Sequence, residues 1–167
     1  MPTPADRVLH LRRLVHSASD RLRWLPPTVA RITVGWIFLQ SGWGKLHNLP
    51  TVVSFFAELG IPAPQLQAPL AATAELLCGA LLLVGLFTRV AALPLIGVMF
   101  VALLTALRGQ IHAASDLFGL SEYLYIVILL WLGASGAGPL SLDAVLAKRL
   151  EGGERLMPVS ARSAPLR

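Results

Sequence analysis

Glu75 stands inside an apolar stretch, residues 68–87, where a carboxylate is expensive. An acid near the centre of a membrane-spanning helix costs roughly 2.5 to 3.5 kcal/mol on insertion scales, so its default role is functional or partner-bound. The spacing offers Lys45 as the partner. Arg31, Gly35, Phe38, Gly42 and Lys45 recur at alternating steps of four and three, which is one stripe of a helix. Glu75, Gly79, Leu82, Leu86 and Arg89 repeat the rhythm on a second helix. If the two stripes pack antiparallel through the helix-packing glycines Gly35, Gly42 and Gly79, the Lys45 ammonium reaches the Glu75 carboxylate and keeps it ionised against desolvation. Gln40 is expected at similar depth. His112 and Glu122 flank a later connection on the same outer side, so Lys45, Glu75, His112 and Glu122 are expected at one mouth, the arrangement a proton-coupled redox or substrate site needs. A bridge that only holds two helices together is an equal alternative.

A second polar cluster is expected at the opposite, inner end. Arg31 and Arg89 would lie together near the headgroups, and Asp143 would relieve their repulsion, with Ser141 as the N-cap of a terminal helix. This cluster reads as architectural. The single cysteine, Cys78, excludes an intramolecular disulfide and a paired-thiol mechanism and reads as a small buried hydrophobe. His47 and His112 alone make only a weak metal or haem argument, since a loop histidine is more often solvated or capping than a ligand, so no metal is expected. Neither a GxGxxG after a strand nor a P-loop is present, so any redox cofactor would be membrane-borne or brought by another protein.

The elements that must position these residues follow from composition. With 55% hydrophobic residues, 14% charged residues and a mean hydropathy of +0.67, the chain is too apolar for an ordinary soluble domain. The net charge of +5 does not point to nucleic acid, because the basic residues gather at the chain ends, where anionic headgroups would meet them. Four segments, residues 28–46, 68–87, 90–107 and 122–137, are expected to span a bilayer. Pro94 would fall in the first turn of the third, and Gly35, Gly42, Gly79, Gly85 and Gly97 would let helices approach closely. Twelve of the 14 lysines and arginines precede or open the first span, follow the fourth, or sit in the second-to-third turn; Lys45 and Arg108 are the other two. Both termini therefore face the cytoplasm.

The fold expected is an all-α integral membrane four-helix bundle, residues 28–150, preceded by an interfacial amphipathic helix over residues 1–27 and closed by a short cytoplasmic C-terminal helix. In the first of these flanks, Val8, Leu11, Val15, Ala18, Leu22 and Leu25 make the apolar face, behind a Thr3 to Asp6 capping box and before a Pro26-Pro27 stop. Arginines near Met1 interrupt any cleavable signal peptide, so the first span is expected to direct its own insertion. Val52, Phe55, Phe56 and Leu59 predict a short amphipathic helix on the outer side, ending at Gly60. Residues 151–167 carry too little apolar surface to fold and are expected to be disordered.

Several of these pieces, in this order, resemble the DoxX family of small four-helix membrane proteins. They are Arg31-x-x-x-Gly35, Gly42-x-x-Lys45, Leu59-Gly60-Ile61-Pro62, Glu75-x-x-x-Gly79, Gly85-Leu86-x-x-Arg89, His112, Glu122-Tyr123, and Gly138-Pro139 leading to Ser141-Leu142-Asp143. The resemblance covers residues 31–150 and implies an inner-membrane protein linked to quinone chemistry and to oxidant or electrophile stress, often as partner of a soluble redox enzyme. It supplies no agreed catalytic residues. An oxidoreductase subunit or accessory protein that holds a quinone-like molecule or recruits a redox partner is the leading expectation. A four-helix scaffold or proton-coupled small-solute transporter, gated by Lys45 and Glu75, is the alternative. The oligomeric state is not legible in these residues.

Overall fold

A computed structural model describes Arg12 and residues 21–155, and among these every regular element is helical. The helices are α1 (Leu25–His47), α2 (Leu49–Glu58), α3 (Pro64–Val84), α4 (Thr88–Leu104), α5 (Ala114–Gly119), α6 (Ser121–Ser135) and α7 (Leu142–Arg155), with a single 3-10 turn at Arg108–Gln110. Most of the amphipathic helix expected over residues 1–27 lies outside the described residues, as do residues 156–167. Two boundaries differ from expectation. Pro26 and Pro27 lie in the first turn of α1 and open it, because a proline lacks only an N–H that the first turn leaves unpaired anyway. Helix α7 continues to Arg155, five residues into the segment expected to be disordered.

Glycines end the helices that must turn sharply. Gly60, at φ 70°, closes α2 with a Schellman pair, the N–H of Gly60 to the Ala57 carbonyl and that of Ile61 to Phe56. Gly85, at φ 71°, closes α3 the same way through the carbonyls of Leu82 and Leu81. Two residues later Phe87 holds φ 49°, a left-handed conformation that costs a residue with a Cβ about 1–2 kcal/mol. The next turn of chain is therefore under strain that something outside it must hold.

Helix α1 packs chiefly on α3, and α4 on α6, with α3 and α4 more loosely joined. The core between them holds Val34 and Phe38 of α1, Leu82 of α3, Ala92 and Leu95 of α4 and Leu129 of α6. The outside is as apolar as the inside: Leu66, Leu70, Phe87, Val90 and Leu93 are 62–68% exposed. Among the described helices, α3 is the one both long and apolar enough to cross a bilayer unaided; α4 and α6 are apolar but only 17 and 15 residues long.

Candidate functional site

The α1–α3 contact is set by glycines. A Cβ on Gly42 would collide with the backbone of Leu76 and come 2.7 Å from the Ala72 carbonyl; one on Gly79 would stand 2.6 Å from the Leu39 nitrogen; one on Gly35 would stand 2.9 Å from that of Leu83. These helices touch backbone to backbone, the approach that small residues permit. One turn beyond Gly42, Lys45 Nζ lies 2.5 Å from Glu75 Oε1. The lysine side chain is 31% exposed and the glutamate 0%. Because α3 begins at Pro64, Glu75 is about 16 Å along it at 1.5 Å per residue, near its middle and deeper than a helix starting at residue 68 would put it. Its second oxygen, Oε2, is buried without a hydrogen-bond partner among the described residues. A buried acceptor left unpaired is costly, and this one sits on a charged group.

Beside the pair lies a cavity of about 580 Å³, within the size range of small-molecule sites. One wall is α3, through Gln67, Leu70, Ala71 and Ala74. The facing wall is α4, through Pro94, Gly97, Val98, Val101, Ala102 and Thr105. Helix α2 closes one end with Val52, Phe55 and Phe56, and Lys45 lies at that end too. Thr51 and Thr105 spend their donors locally, on Asn48 and on the Val101 carbonyl, and Gln67 spends one of its two amide N–H groups on the Pro62 carbonyl at 2.6 Å. Lys45 is the charged residue of the lining, and an ammonium has three donors, of which Glu75 takes one.

The remaining outer candidates are not brought to this pair. Gln40 is exposed, because five residues at about 100° each turn it about 140° around α1 from Lys45. His112 is exposed, and its backbone N–H, with that of Ala113, donates to the Asp116 carboxylate at 3.0 and 2.9 Å. These two bonds hold the Asp116 carboxyl below its ordinary range. Glu122 accepts the Ser121 hydroxyl at the start of α6. Among the described residues neither side chain is hydrogen-bonded to Lys45 or Glu75, and neither lines the cavity. Gly97 and Pro94 also differ from expectation. A Cβ on Gly97 would meet nothing within 4 Å, so no helix approaches there, and Pro94 lies inside α4, which starts at Thr88 rather than residue 90.

The other polar cluster ties chain ends together. Arg31, 4% exposed, donates from Nη1 to the Ala137 carbonyl at 3.2 Å and from Nη2 to that of Leu140 at 2.8 Å. Gly85 must be glycine here, since a Cβ would overlap the Arg31 guanidinium. Asp143 forms no direct ion pair with Arg31 or Arg89 among the described residues. Its carboxylate instead accepts the N–H groups of Phe87 and Thr88 at 2.8 and 3.2 Å, and its own N–H donates to the Gly85 carbonyl. This clamp holds the left-handed Phe87 and satisfies the start of α4. Ser141 caps α7 through the Ala144 N–H. Arg89 stays exposed beside Gly136, on the rim of a second cavity of about 450 Å³. The sequence reading did not single out Asp116, and it took Gly97 for a close-packing glycine; Gly97 and Ala102 on α4, facing Ala71 and Ala74 on α3, were the available signal for the cavity wall.

Comparison with known proteins adds three kinds of finding. The DoxX family model matches residues 27–108. The "Uncharacterized membrane protein Rv3486" of Mycobacterium tuberculosis is 37% identical over 155 residues, covering 82% of this chain and 88% of that protein. The "Inner membrane protein YphA" of Escherichia coli is 33% identical over 125 residues, covering 69% and 86%. The Bacillus subtilis protein named "Putative oxidoreductase CatD" is 28% identical over 125 residues, covering 74% and 88%. No solved structure matches the chain at a significant level.

Proposed function

The chain belongs to the DoxX family of membrane proteins, and from that premise we propose that it crosses the inner membrane four times and supports redox chemistry there by holding a quinone-like molecule. The spans are α1, α3, α4 and α6, with α2 and α5 lying along the outer surface and α7 along the inner one. At 15 residues α6 reaches only about 22 Å, and tilt, local thinning or its flanking apolar residues make up the difference to the hydrocarbon core. The lysines and arginines crowd the side of the termini and so put both termini in the cytoplasm. The apolar exterior suits lipid tails on every face.

The observation that carries the reading is the enclosed Glu75 carboxylate, paired with Lys45 at the end of an apolar cavity. A quinone is a flat apolar body with two carbonyl oxygens. The walls suit its body, the free N–H groups of Lys45 suit one oxygen, and a carboxylate and ammonium in contact can pass a proton to or from a ring oxygen as it is reduced or oxidised. Electrons come from a partner enzyme. The oxidoreductase name of the Bacillus subtilis relative agrees with such an association.

The test is purification in a mild detergent followed by mass spectrometry of what remains bound, beside growth under quinone stress. A quinone retained by the native chain, and lost from Glu75→Gln and Lys45→Met together with resistance, is the expected result. Both variants keeping the bound species and the resistance would defeat the proposal.

A further inference from the structure

Resting on the four-span, quinone-holding reading, we infer that the cavity between α2, α3 and α4 is filled sideways from the lipid, that its occupant is a neutral lipophile ending in a hydrogen-bond-accepting oxygen, and that Gly97 keeps the space open for it.

Gly97 is the residue whose identity needs explaining. Glycine inside a helix is about 1 kcal/mol worse than alanine, and of the interior glycines of α1 and α3 three have a packing reason to be there while Gly44, off the cavity, has none. Gly35, Gly42 and Gly79 each face a neighbouring backbone at 3.0 Å or less. Gly97 faces nothing within 4 Å and holds no left-handed φ, so neither close packing nor backbone geometry requires it. It lines the cavity directly, opposite Ala71 and Ala74. The side chain it lacks is cavity volume.

The direction of entry follows from which walls are exposed. Leu70 and Val101 line the cavity and are 68% and 42% exposed, so the seam between α3 and α4 opens on the outside of the bundle, where the lipid is. The end toward the outer surface is covered by α2. The charge of the occupant follows from the pair. Lys45 is the charged lining residue, Glu75 outside the lining neutralises it, and the rest of the lining is uncharged. An anion entering here would lose its hydration for a site with no net positive charge, whereas a neutral oxygen needs only one of the free Lys45 donors. From Pro94 to Thr105 the α4 wall is about 16 Å long at 1.5 Å per residue, which suits an extended tail more than a compact solute.

The experiment measures binding of three probes to the full chain in lipid nanodiscs by native mass spectrometry: decyl-1,4-benzoquinone, monodecanoylglycerol and decanoate. Two leucine variants are compared with the native protein. Gly97→Leu fills the cavity; Gly44→Leu is the control, since Gly44 also meets nothing within 4 Å but lies off the cavity. Decylbenzoquinone binding is expected to weaken about tenfold or more in Gly97→Leu, and to stay within about twofold in Gly44→Leu. Should Gly97→Leu fail to fold, Gly97→Ala gives a smaller loss in the same direction. Equal quinone binding by folded Gly97→Leu and native protein would overturn the site while leaving the quinone reading standing. Monodecanoylglycerol held by the native chain and lost from Gly97→Leu, with no quinone bound, would keep the site and defeat the quinone reading. Decanoate bound more tightly than either neutral probe, or none of the three bound, would overturn the inference.

Discussion

At one end of α1, Arg31 gives two guanidinium nitrogens to the carbonyls of Ala137 and Leu140, while at the other Lys45 gives one proton to Glu75 and keeps two to give. Around Arg31 the polar groups answer backbone: Asp143 takes the N–H groups of Phe87 and Thr88, and Ser141 that of Ala144. Around Lys45 a side chain answers a side chain, and Glu75 Oε2 is left with nothing. Both ends contain buried charge and both leave a buried polar atom unpaired among the described residues, Arg31 Nε and Thr88 Oγ1 at one and Glu75 Oε2 at the other, but Lys45 is the charge that lines the larger apolar cavity. Charge fastened to carbonyls and amides holds chain segments in place. Charge that is paired and still short of partners beside a cavity is equipped to meet a ligand.

The comparison can be broken in four places. The largest effect is expected from Lys45→Met, which strands the Glu75 carboxylate and should cost about 3 kcal/mol, the low end for a broken buried pair because Lys45 is partly exposed. Adding Glu75→Leu should restore the melting temperature in detergent without restoring quinone retention, since an apolar replacement of both partners removes the stranded charge but not the lost donor. Arg31→Met should cost about 2 kcal/mol, from two charge-assisted bonds, and leave quinone affinity unchanged in the fraction that folds. Equal loss of affinity in that variant would erase the distinction between the two ends.

Asp143→Asn keeps one acceptor oxygen and loses the charge at the start of α4, so thermal unfolding should register about 1 kcal/mol. The smallest effect lies at the turn before α6. Asp116 titrates below its ordinary value because the His112 and Ala113 N–H groups favour its charged form. The order this lends the turn is therefore complete above about pH 4, the unfolded aspartate value, and is lost as pH falls through the lower folded one. Amide exchange at His112 and Ala113 should accelerate in that window, while the Arg31 cluster stays protected.

The pairing of Lys45 with Glu75 could be anticipated because two identical stripes, each with a glycine at the point of contact, leave few ways to pack. Helix existence and order were equally accessible, since long apolar periods bounded by Gly60 and Gly85 have one sensible reading. His112 and Glu122 were not placed, because a loop's residues take their neighbours from local turns such as the Asp116 bonds, and no periodicity reports those. Asp143 was assigned to the arginines on charge, whereas the strained Phe87 amide claims it.

Gly97 shows the division most clearly. The sequence marks it as one more glycine within an apolar helix, and nothing in the order of residues separates a glycine that admits a neighbour from one that leaves a gap. Periodicity and composition act locally, along one helix, and so dictate the helices, their apolar faces and the stripe that carries each charge. Whether a facing stripe is filled depends on how far apart two helices stand. That distance is the sum of contacts along the whole length of α2, α3 and α4, a quantity that exists only once they are packed.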